Sequence, residues 1–187
     1  MRAWCSTSSR TKSYVKDDTQ FNESFAATVE EEGTRRWLAT QGNQQLTAQF
    51  DRSERLRVVF RDLVTRTRVQ LTEVYASNAS DVEKRERKAQ AFAGMRDGYE
   101  HAKAGEPGLA GYDRWFGGVG GAGPNNASIS SIALYTGQVP AFKAILAAEG
   151  HDLPKFYARV KALSLMAKSE RDGTLAAAAR QSVAAVP

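Results

Sequence analysis

The chain has 187 residues, enough for one domain or one domain with a tail. Its 42% hydrophobic and 25% charged residues are those of a folded globular protein and exclude a disordered or membrane-embedded chain; no apolar run approaches the roughly 18 residues that a transmembrane helix needs. The net charge is +5 and the pI about 9.4, but acids and bases interleave in 51–55 and 83–88 as on solvated helix faces, which argues against a nucleic-acid binder and its single-sign patch. One cysteine, Cys5, excludes a disulfide framework and a cysteine-built metal site. Met1 to Ser13 lacks the apolar middle of a secretory signal, and the compartment stays open.

The first predicted helix is Asp17 to Thr40. Asp18 or Thr19 caps its free amides, and Phe21, Phe25 and Val29 form an apolar stripe at four-residue spacing. Glu23 lies in the first turn beside that stripe. It is either a solvent-facing acid favoured by the helix dipole or a functional carboxylate set against aromatics. Glu30 falls on nearly the same face, within an acidic turn of Glu30, Glu31 and Glu32. Gly33 interrupts the helix at a cost of roughly 1 kcal/mol against alanine, and Gly42 suits a left-handed terminus. A long second helix follows over 43–76, with Leu46, Phe50, Phe60, Leu63, Val64, Leu71 and Val74 near helical spacing and arginines on the other faces.

After a turn at 77–81, a third helix runs over 82–104, with Phe92, Met95 and Tyr99 inward. His101 lies near its C-terminus, where a protonated imidazole is favourable. The stretch 105–125 is irregular. Its Gly118, Gly120 and Gly123 meet the dinucleotide-loop spacing, but no strand precedes them and Pro124 follows, so the stretch reads as a flexible loop. Asn126 or Ser128 caps a short helix through Tyr135, and Pro140 starts the next, which Gly150 ends. The last apolar face is Phe156, Tyr157, Val160, Leu163, Leu165 and Met166. From Arg171 the chain is an alanine-rich loose helix or frayed tail. No strand signal occurs, and the fold class is all-α.

Several stretches carry a family resemblance. Lys16-Asp17-Asp18-Thr19 precedes Phe21-Asn22-Glu23-Ser24-Phe25-Ala26, and Val29-Glu30-Glu31-Glu32-Gly33 and Arg35-Arg36-Trp37-Leu38 follow. Further on come Tyr112-Asp113-Arg114-Trp115-Phe116, a glycine loop, Asn125-Asn126-Ala127, Val139-Pro140-Ala141-Phe142 and the Phe156-Tyr157 pair. Over 14–171 the chain resembles the putative aminopeptidase family of bacterial zinc peptidases, which are similar to gluzincins. The glycine run is longer here than in the family pattern. The resemblance implies the helical C-terminal part of a zincin-like metallopeptidase domain over 14–170, with an aberrant segment at 1–13 and a tail at 171–187. It implies that Glu23, of the Asn-Glu pair, is the third zinc ligand; Asn22 beside it is a supporting residue, and Glu30, seven residues on, either supports a ligand from behind or belongs to a solvated acidic turn. Tyr112 and Tyr135 become the candidates for stabilising an oxyanion. The cofactor would be zinc, with one position open for the water that attacks the bond, and the partner a peptide substrate. Full-length relatives often look envelope-directed, a signal that would lie upstream of this stretch.

The other two zinc ligands of such enzymes come from a His-Glu-x-x-His helix, and this sequence has no such motif; its only histidines are His101 and His151. Codons hold a possible explanation. Written as TCC ACG AGC TCG CGC ACC AAG, Ser6 to Lys12 read from the last base of the first codon give His-Glu-Leu-Ala-His-Gln. Threonine codons always begin AC, and Thr7 and Thr11 lie four apart, so the histidine spacing is built in; the serine and arginine codons are chosen. The hidden motif falls shortly upstream of Glu23, where the family has its zinc helix. The expectation is therefore a putative zinc aminopeptidase whose zinc helix is lost to a frameshift, leaving this chain a truncated and inactive form. The alternative is a non-catalytic helical interaction module in which Glu23 is structural.

Overall fold

The computed structural model describes residues 14–118 and 120–184. The readings made on 1–13, Cys5 and the hidden zinc helix among them, lie outside those residues. Every regular element among the described residues is helical, so the all-α class holds. No helix there is long and apolar enough to cross a membrane. The helices are α1 (Thr19–Gln41), α2 (Gln44–Ala76), α3 (Asp81–Gly105), a 3-10 turn (Pro107–Tyr112), α4 (Asn126–Thr136), α5 (Val139–Ala148), α6 (Leu153–Ser164) and α7 (Lys168–Ala184). They divide into two compact units, one of residues up to 31 together with 138 onward, the other of 32–137; α1 contributes to both.

The first unit is built on aromatic and aliphatic side chains at helical spacing. Phe21 of α1, Phe142 of α5, Phe156, Val160 and Leu163 of α6, and Leu175 of α7 are almost wholly buried together. Phe21 meets Phe142 edge-on at 5.2 Å between ring centres, and Phe25 lies within 6.0 Å of the Phe142, Phe156 and Tyr157 rings. Such edge-to-face pairs add about 0.5–1.5 kcal/mol each beyond burial. One expectation is corrected here. Leu165 is 80% exposed; α6 stops at Ser164 and Leu165 is its terminal cap. Of the two readings of the stretch from Arg171, loose helix or frayed tail, the helix holds: it is the body of α7, packed on α5, with Arg171 and Leu175 buried. Alanine spacing disguised this face, since one leucine and small residues suffice where helices approach closely. Leu175→Ala is therefore expected to lower the unfolding free energy by about 2–5 kcal/mol in urea titration; a frayed tail would register almost nothing.

In the second unit, the short connection 77–80 turns the chain back so that α3 packs along α2. Asn43 caps α2 through the Leu46 amide at 3.1 Å, and Ser80 with Glu83 forms a reciprocal capping box at the start of α3. The core joins Phe60, Val64 and Leu71 of α2 to Met95 and Tyr99 of α3, and Ile129 of α4. Asn125, one residue before the expected candidates, caps α4, with Ser128 answering it.

Candidate functional site

The start of α1 is fixed by an unusual density of polar contacts. Asp18 caps the helix by accepting from the Phe21 amide at 3.1 Å. Its other oxygen accepts from Arg171 of α7 at 2.6 Å, and both side chains are only 3% exposed. Lys168 stands 3.4 Å from the same oxygen and bonds Asp172 at 2.8 Å. Burial pushes the Asp18 carboxyl pKa up, but the Arg171 hydrogen bond, the Phe21 amide and the two cations outweigh it and hold it below the usual range. The Arg171 guanidinium also lies 5.2 Å over the Phe21 ring and donates to the Met166 carbonyl at 2.9 Å. One turn on, the buried Ser24 hydroxyl accepts from the Gln138 amide at the head of α5.

Asn22 spends its whole carboxamide on Val15, accepting from its amide at 2.9 Å and donating to its carbonyl at 2.8 Å. That clip ties the chain before α1 back onto the helix. Glu30 is exposed. Of the acidic turn, only Glu30 is solvated in that way: Glu31 is half-buried and pairs with Lys143 at 2.5 Å, and Glu32 is buried and bonded to Arg36 at 2.8 Å.

Glu23 sits between these fixed points, half-buried, with no hydrogen-bond or ion-pair partner among the described residues. Its carboxylate is left to solvent or to a group outside the described residues. The rest of the donor set does not fit zinc. Among the described residues no three His, Cys, Asp or Glu side chains are grouped to hold a metal. His101 is exposed near the end of α3, and His151 is exposed in a left-handed turn after α5, with φ of 58°. Glu23 alone is not a zinc centre.

The two tyrosines belong to the second unit, whereas Glu23 belongs to the first. Tyr112 stacks flat on Phe60 at 4.4 Å, and burial pushes its hydroxyl pKa up. Tyr135 is half-exposed on α4. The motif around Tyr112 is a knot: Trp115 and Phe116 pack edge-on against Phe60, and Phe116 stacks on Tyr99 at 3.9 Å. The Tyr99 hydroxyl lies 2.6 Å from Asp113 and 2.9 Å from the Leu109 carbonyl, and Lys103 bonds Asp113 at 2.7 Å. Burial and the bond to Asp113 drive the Tyr99 pKa upward. The glycines that follow serve tight turns: a Cβ on Gly121 would stand 2.0 Å from the Arg114 carbonyl oxygen. This is the physical reason the dinucleotide spacing misleads here.

Sequence reasoning found the Asp18 cap but missed Arg171. The signal was present in Lys168, Arg171, Leu175 and Ala178, which share one helical face.

The model of the family described as "Putative aminopeptidase" matches residues 9–175. The chain belongs to this family. The match begins inside the 1–13 stretch and ends within α7, so the putative aminopeptidase pattern covers both the fixed start of α1 and the Arg171 that pins it. No curated protein and no solved structure matches the chain. Membership supports a peptidase-like, hydrolytic function in general.

Proposed function

We propose that this chain is the helical part of a zinc-dependent aminopeptidase, that Glu23 is the carboxylate ligand to the metal, and that the two histidine ligands are encoded out of frame within Ser6 to Lys12. The observation that carries the reading is the Glu23 carboxylate, half-buried and unpartnered on a helix whose start is pinned at Asp18, Asn22 and Ser24. A helix held so firmly suits a residue that must meet a ligand with fixed geometry. The substrate is a peptide. The polypeptide as translated lacks the ligands for stoichiometric zinc and is inactive. Equilibrium dialysis of the purified chain against zinc is expected to leave no bound equivalent; one bound equivalent would contradict the loss of the two histidine ligands, and one that Glu23→Ala leaves in place would also remove Glu23 from the metal.

A further inference from the structure

The second unit holds a cleft of about 700 Å³ that the peptidase reading does not use. One wall is α3; the other is the 3-10 turn with the glycine-rich loop. Its size falls within the range of small-molecule sites.

Three cations line the cleft: Arg96, Lys103 and Arg114. Lys103 is already neutralised, at 2.7 Å from Asp113 and 2.9 Å from Glu100. Arg96 and Arg114 have no acid or hydrogen-bond partner among the described residues. Three cations against the two carboxylates Glu100 and Asp113 leave one net positive charge, and the two guanidinium groups are the cations without an acid among the described residues. The loop wall adds donors. Its turns consume the amides of Gly118 and Gly121, on the Asp113 and Gly118 carbonyls. Ala122 and Gly123 line the cleft, and their amides have no partner among the described residues. A Cβ on Gly123 would lie 4.0 Å from an Arg96 nitrogen, so that guanidinium rests against this stretch of backbone. Free backbone amides beside a planar, permanently charged fork are the chemistry that recognises oxyanions.

We propose that this cleft binds the oxyanion of a small ligand, a phosphate or a carboxylate, between Arg96, Arg114 and the amides of Ala122 and Gly123. The site is independent of Glu23 and of zinc. Calorimetric titration of the full chain at low ionic strength, with inorganic phosphate and separately with acetate, tests it. One anion is expected to bind at one equivalent in the millimolar range. Arg96→Met and Arg114→Met should each weaken it about tenfold or more, the loss of one charge-assisted bond. Arg66→Met, on α2 and paired with Asp62, should change nothing. Preference for phosphate assigns a phosphate ester, and preference for acetate a carboxylate ligand. Absence of saturable binding by either anion overturns the proposal, as does binding that Arg96→Met and Arg114→Met leave unchanged.

Discussion

Arg171→Met is expected to lower the unfolding free energy by about 3–5 kcal/mol, with Asp18→Asn close behind, because removing one member of a buried ion pair strands the other. In Arg171→Met, Asp18 stays 3% exposed with only the half-solvated Lys168, 3.4 Å away, as a counter-charge. In Asp18→Asn the guanidinium keeps the Met166 carbonyl and the Phe21 ring but loses its carboxylate. The double substitution should recover part of the loss, giving a coupling energy of about 1–3 kcal/mol in a double-mutant cycle. Urea titration reads all three. The pair also sets an acid limb. The folded-state pKa of Asp18 lies below its unfolded value, so its contribution is fully present above about pH 4 and is lost as the pH falls through the folded value. Arg171→Met should flatten that limb. Losses below about 1 kcal/mol in both single variants, or strict additivity, would show that α7 does not hold the start of α1.

The largest functional effect is expected from the reading frame. A protein carrying His-Glu-Leu-Ala-His-Gln in place of the present translation of that DNA should bind one zinc per chain and hydrolyse peptides, where the chain as given is expected to do neither. Within that restored protein, Glu23→Ala should weaken zinc by more than about a hundredfold, since loss of a residue that merely supports a ligand already costs about 10–100-fold. Alanine is the best helix former, so α1 should persist and the helical circular dichroism should be unchanged. Zinc content with intact helicity separates a ligand from a structural acid. Retention of zinc in Glu23→Ala would remove Glu23 from the metal.

Most of the fold could be read from local pattern. Helices α1 to α6 lie close to the periodic segments, and several begin or end on a local signal: Gly42 at φ of 62°, the Ser80 capping box, Pro140 at the head of α5, and Gly150 at φ of 63°. What escaped was long-range pairing. Nothing near Asp18 announces a partner 153 positions away, and nothing near Tyr99 announces that Asp113 and Phe116 fold back onto it. The family motifs were visible as strings, but their physical work was not. Asn22 is a clip on Val15, and Tyr112 to Phe116 is an aromatic knot. Glu23 is a half-buried motif residue whose carboxylate no described side chain uses. Its meaning depends on ligands that the translated chain does not spell.

The most direct test of that meaning is to resequence the genomic DNA across codons 1–20 and the bases upstream. The account predicts that a single-base correction places His-Glu-Leu-Ala-His-Gln in frame with Glu23, with the codons of Ser6, Thr7, Ser8, Ser9, Arg10 and Thr11 able to encode it. A frame that stands as given, or other codons at Thr7, Ser8 or Arg10, would contradict it. Glu23 would then be a structural acid in a helical interaction module.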